Sequence, residues 1–114
     1  MNKLYNLIYL EEISGGDRNF IIEMLKDFVA NTPYSIKEIE KLASSKEWDL
    51  LYKSVHKFIP SFDFIGAESI KNDLKNLEHY SKTQINLEKI PSLLFNIKDF
   101  SYKVIKEIKI EYNL

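Results

Sequence analysis

His56 is the residue whose chemistry stands out in this chain, and its immediate neighbours define what that chemistry could be. It lies in Val55-His56-Lys57-Phe58-Ile59-Pro60-Ser61-Phe62-Asp63-Phe64-Ile65-Gly66-Ala67. Leu51, Val55, Phe58, Phe62 and Ile65 recur at helical spacing and form one apolar stripe. At about 100° per residue, His56 falls roughly 140° from the centre of that stripe, so a helix here turns the imidazole away from the core. A neutral imidazole carries one nitrogen with a free lone pair, and a rigid helix that displays it suits phosphoryl transfer. Lys53 and Lys57 flank it on the solvent side. Each could offer a phosphoryl group a charge-assisted hydrogen bond worth roughly 1.5–3 kcal/mol when well formed, or about 1 kcal/mol or less in open water.

Four further residues belong to the same surface. Tyr52 and Ile59 fall roughly 80° and 100° from the stripe centre, at the edge of the core, where they can extend a docking patch. Pro60 has no amide hydrogen, so the carbonyl of His56 loses its helical partner and stays free on the surface that carries the imidazole. Asp63 lies two turns beyond His56 and would repel a phosphate brought close to it. The second histidine, His79, lies opposite the Leu74/Leu77 face without comparable neighbours and reads as a surface residue. There is no cysteine, and the two histidines lack the spacing of a zinc motif, so neither metal nor cofactor is expected on this chain. No nucleophile elbow or phosphate-cradling glycine loop is present, so no independent catalytic turnover is expected.

The elements that must position His56 are helical. Only three glycines and three prolines occur, and apolar residues recur three and four apart, which predicts an all-α chain. Residues 4–12 read as a short first helix with Leu4, Leu7 and Ile8 inward, broken by Ser14-Gly15-Gly16. Asp17 fits the N-cap of the second helix, whose apolar face runs through Phe20, Ile21, Met24, Leu25, Phe28 and Val29 to Ile36, Ile39 and Leu42. Pro33 inside this run predicts either a kink near Asn31-Thr32 or two helices joined there. Ser44 and Glu47 suggest a capping box for the third helix, which carries His56 to about Ile65. Gly66 ends it; Ala67, Ile70, Leu74 and Leu77 face inward from the fourth, and residues 81–86 are the most loop-like segment. Pro91 suits the first turn of the last helix, buried through Leu93, Leu94, Ile97, Phe100, Val104 and Ile108. Four long helices with short connections read as an antiparallel up-down-up-down four-helix bundle, preceded by a short extra N-terminal helix.

At 114 residues, a single domain spanning 1–114 is expected. Sixteen basic against 17 acidic residues give a net charge of −1, which argues against a dedicated nucleic-acid binder. No apolar run approaches the ~18 residues of a membrane span, and the N-terminus lacks a signal-peptide pattern, so the expected compartment is the cytoplasm.

The stretch around His56 resembles the histidine phosphotransfer (HPt) family of two-component phosphorelays. Its signature is a histidine, a basic residue, an apolar residue and a lysine, then a small residue and a serine, with Gly-Ala or Gly-Leu ten residues after the histidine. His56, Lys57, Phe58, Ser61, Gly66 and Ala67 fit; Ile59 stands where lysine is usual and Pro60 where glycine is commonest. Ile13-Ser14-Gly15-Gly16-Asp17-Arg18-Asn19-Phe20 is similar to the family's entry into its long helix, and Leu74-Lys75-Asn76-Leu77-Glu78 to its next one. The resemblance spans roughly residues 4–112. It implies a cytoplasmic, monomeric phosphoprotein with His56 as phosphoacceptor. Its partners would be response-regulator receiver domains, which bring the divalent metal, and a hybrid histidine kinase. An HPt-like module that binds receivers or kinases without phosphotransfer is the alternative, motivated by Ile59 and Asp63; an unrelated helical scaffold is a third reading.

Overall fold

A computed structural model describes residues 4–114; residues 1–3, the start of the expected domain, lie outside the described residues. Among the described residues five α-helices follow in order: α1 (Ile8–Ser14), α2 (Arg18–Ser44), α3 (Trp48–Phe64), α4 (Lys71–Thr83) and α5 (Ile90–Tyr112). Single 3-10 turns, Glu68–Ile70 and Leu87–Lys89, lead into α4 and α5. There is no strand among the described residues.

The four long helices close a ring of contacts. α2 packs on α3 and α5, and α4 packs on the same two, so the helices enclose one apolar interior. That interior holds Leu25, Phe28, Leu51, Val55, Phe58, Phe62, Leu74, Leu77, Val104 and Ile108. The described chain measures 42 × 24 × 24 Å, its long axis set by α2, whose 27 helical residues rise about 40 Å. Phe62 is fully buried and meets Phe28 of α2 edge-on at 5.5 Å and Phe58 edge-on at 4.8 Å. Burying one such ring contributes about 1.5–3 kcal/mol. These rings, with Leu51 and Val55, fix the rotation of α3 about its axis and therefore the direction in which His56 leaves it.

The ends of α2 show how far local sequence governs the elements. The Asp17 carboxylate accepts from the amides of Asn19 (3.0 Å) and Phe20 (3.3 Å), an N-cap worth about 1 kcal/mol. α2 then passes through Pro33 as one helix rather than two. The capping box expected from Ser44 and Glu47 does not form. Ser44 is the last residue of α2, and Glu47 caps α3 by position alone, without a side-chain bond. The Lys46 amide bonds the Ala43 carbonyl and the Glu47 amide that of Leu42, with Lys46 at φ +58°. This tight backbone closure leaves no room for the reciprocal side-chain box.

α1 also begins later than expected. Residues 4–7 form a non-helical strap because the Asn6 amide donates to the Ile65 carbonyl (2.7 Å), and the Asn6 side chain accepts from the Ile8 amide (2.8 Å) to start the helix there. Ile8 is therefore exposed rather than inward, while Tyr5 and Leu10 are buried and Leu4 and Leu7 pack at the core's margin. α4 likewise runs to Thr83, into the segment read as a loop, with Ser81 buried and bonded to the Leu77 carbonyl at 2.7 Å.

Candidate functional site

The side chain of His56 stands on the outer face of α3 and is 70% exposed. Its Nδ1 lies 2.7 Å from Oε2 of Glu78 on α4. An ionised carboxylate can only accept, so a neutral ring in this contact carries its proton on Nδ1 and has its lone pair on Nε2. Glu78 itself is three-quarters covered, which restrains the carboxylate and through it the ring. The contact thus selects one tautomer, limits rotation of the imidazole and leaves Nε2 without a protein partner among the described residues.

Tyr52 lies one turn before His56, its ring tilted against the imidazole with centroids 6.3 Å apart. The Lys82 ammonium of α4 sits over the Tyr52 ring, 5.2 Å from its centroid. Glu78 and Lys82 are one turn apart on α4, so that helix presents an acceptor and a cation to the same surface. Neither residue was singled out as part of the site by the sequence. Glu78 follows the Leu74/Leu77 stripe and reads as a solvated charge, and Lys82 falls in the segment read as a loop; only the extension of α4 to Thr83 and its packing on α3 bring them to this face.

The flanking residues divide. Lys53 is exposed and pairs with Asp49 at 3.0 Å, one turn earlier on its own helix. Lys57 is exposed and, with Ser54 and Phe58, lines a groove of about 450 Å³ between α2 and α3 that also includes Asp27 and Asn31. Ile59 is half-buried against the core, and Pro60 is exposed. Asp63 turns to Lys71 of α4, whose ammonium lies 2.7 Å from its Oδ1 and 3.7 Å from Glu68. The hydrogen bond and charge of Asp63 hold the Lys71 amine above its usual range. Asp63 is thus neutralised locally, which removes the repulsion anticipated from its spacing. His79 is exposed, with its ring against Tyr80 at 6.0 Å and away from this cluster.

Gly66 fixes the end of the helix that carries the site. It adopts φ +61°, and a Cβ there would come within 2.2 Å of the Asn6 carbonyl oxygen. The strap crosses the end of α3 at a point where only a hydrogen fits. Among the described residues no group of three or more His, Cys, Asp or Glu side chains gathers as a metal site, and no helix is long and apolar enough to cross a membrane. No protein-family model, curated protein or solved structure matches this chain.

Proposed function

We propose that this chain is a histidine phosphocarrier of the HPt type. It accepts a phosphoryl group from a receiver-domain aspartate on Nε2 of His56 and passes it to another receiver. The observation that carries this reading is the 2.7 Å contact from Nδ1 to Glu78 beneath an exposed ring. In the transfer, the Nε2 lone pair forms the N–P bond as the P–O bond of the aspartyl phosphate breaks and its electrons leave with the carboxylate. The proton stays on Nδ1. The ring becomes a phosphoimidazolium, and the Glu78 carboxylate offsets its developing positive charge. No base is needed at Nε2, so the chain's contribution is to hold the nucleophile still and in line. The divalent metal belongs to the receiver.

The up-down-up-down arrangement is part of the proposal. The short links at 45–47, 65–70 and 84–89, together with the closed ring of helix contacts, support antiparallel neighbours. Such a bundle displays the middle of α3 as a rigid, accessible face.

The direct test exposes the purified chain to a phosphoramidate donor and to phosphorylated receivers, and maps acid-labile phosphate by mass spectrometry. His56 should take the label; His56→Ala should take none and keep its helical circular dichroism. Label persisting in that variant would remove His56 from the mechanism. The second reading, a receiver- or kinase-binding module without transfer, is favoured by the Ile59 side chain, which is committed to the core where a lysine is usual. It predicts receiver binding unchanged in His56→Ala and no phosphohistidine in the wild type.

A further inference from the structure

On α3 the phosphocarrier reading finds one exposed cation beside the ring, Lys57. Lys53 is engaged by Asp49 at 3.0 Å, and Ile59 offers no charge. Glu78 adds a negative charge at the Nδ1 edge of the ring. A dianionic phosphoryl group on Nε2 beside that carboxylate is served better by a second cation, from another element, than by Lys57 alone.

We infer that Lys82 of α4 supplies it: the ammonium rests on the Tyr52 ring in the unphosphorylated protein and moves to the phosphoryl oxygens when His56 is modified. This inference rests on the phosphocarrier reading and assigns a positioning residue to that site. Three observations carry it. The Lys82 ammonium is 5.2 Å from the Tyr52 centroid, and the Tyr52 ring is itself 6.3 Å from the imidazole, so the cation is held one ring away from the nucleophile. Lys82 lies one turn from Glu78 on α4, which anchors that part of the helix to His56. Among the described residues Lys82 is paired with no carboxylate, so nothing but the aromatic face competes for it. An exposed cation–π contact is worth only about 0.5–1 kcal/mol, whereas a dianionic phosphoryl group offers a charge-assisted hydrogen bond, so the exchange runs toward the phosphate. The lysine stem is flexible enough to make that move without backbone change.

The test compares wild type, Lys82→Gln and Lys82→Arg after labelling with phosphoramidate. It follows the hydrolytic lifetime of phosphohistidine at low and high salt and the Tyr52 ring resonances by NMR. Lys82→Gln should shorten the lifetime about threefold to fivefold at low salt, with the gap closing as salt rises, and Lys82→Arg should restore it. Phosphorylation should shift the Tyr52 ring resonances in wild type and leave them nearly unmoved in Lys82→Gln. Equal melting temperatures would separate these effects from a fold defect. Labelled proteins with equal lifetimes and equal Tyr52 shifts would overturn the role of Lys82 while leaving the phosphocarrier intact. Absence of label on wild-type His56 would overturn the phosphocarrier and the role of Lys82 together.

Discussion

The contact between Nδ1 of His56 and Glu78 makes the two ring nitrogens chemically unequal, and that inequality can be measured. In Glu78→Gln the amide oxygen can still accept from Nδ1–H, so ring orientation is kept but the negative charge is lost. In Glu78→Ala both are lost. Phosphorylation by phosphoramidate should slow roughly tenfold in Glu78→Ala, the scale of a charge-assisted hydrogen bond worth about 1.5 kcal/mol, and less in Glu78→Gln. Rates in both variants equal to wild type would show that the carboxylate only touches the ring. Asp63 teaches the converse at this scale. Its type and spacing marked it as a source of repulsion, yet Lys71 lies 2.7 Å from it, so on this face Asp63 stands as one half of an ion pair.

Different features fix the rotation, the beginning and the end of α3. Its rotation follows from the apolar stripe, which was legible because Leu51, Val55, Phe58 and Phe62 keep helical period and all end up buried. Its beginning was misread: Ser44 and Glu47 have the types and spacing of a capping box, but the backbone closure through Lys46 preempts it. Its end depends on Gly66. Gly66→Ala imposes a left-handed backbone on a residue with a Cβ and drives that Cβ to 2.2 Å from the Asn6 carbonyl. The backbone strain alone costs about 1–3 kcal/mol, and displacement of the strap adds to it. Urea denaturation should show that loss, with a lowered midpoint. A midpoint within error of wild type would mean the strap does not hold the end of α3.

For the whole molecule, the strap joins both chain ends to the bundle. Tyr5 is buried, and its hydroxyl donates to Glu111 near the end of α5, while the Leu4 amide donates to Glu107 at 3.2 Å. Burial, then the hydrogen bond to Glu111, pushes the Tyr5 phenol far above its usual range. A raised folded-state value means the unfolded chain releases this proton first. The stabilisation is therefore complete below pH about 10 and is lost as pH climbs above it. Denaturation midpoints measured from about pH 8 to 11 should fall more steeply for wild type than for Tyr5→Phe, so that the advantage of wild type shrinks with pH. Parallel curves would show that Tyr5 is not coupled to folding in this way.

By itself, the sequence determined that the chain is helical, where α2 and α5 begin, that α3 ends before Gly66, and that His56 leaves α3 on the side opposite its buried stripe. Those features follow from local rules: apolar period, caps, glycine and proline act over a few residues and need no knowledge of what packs where. The tertiary structure alone decided that Glu78 and Lys82 stand beside His56, that Asp63 is neutralised by Lys71, and that Asn6 crosses Gly66. Each of those depends on the facing and axial offset of two elements. Glu78 lies 22 residues from His56 and Gly66 lies 60 from Asn6, and no periodicity within one segment encodes such a distance.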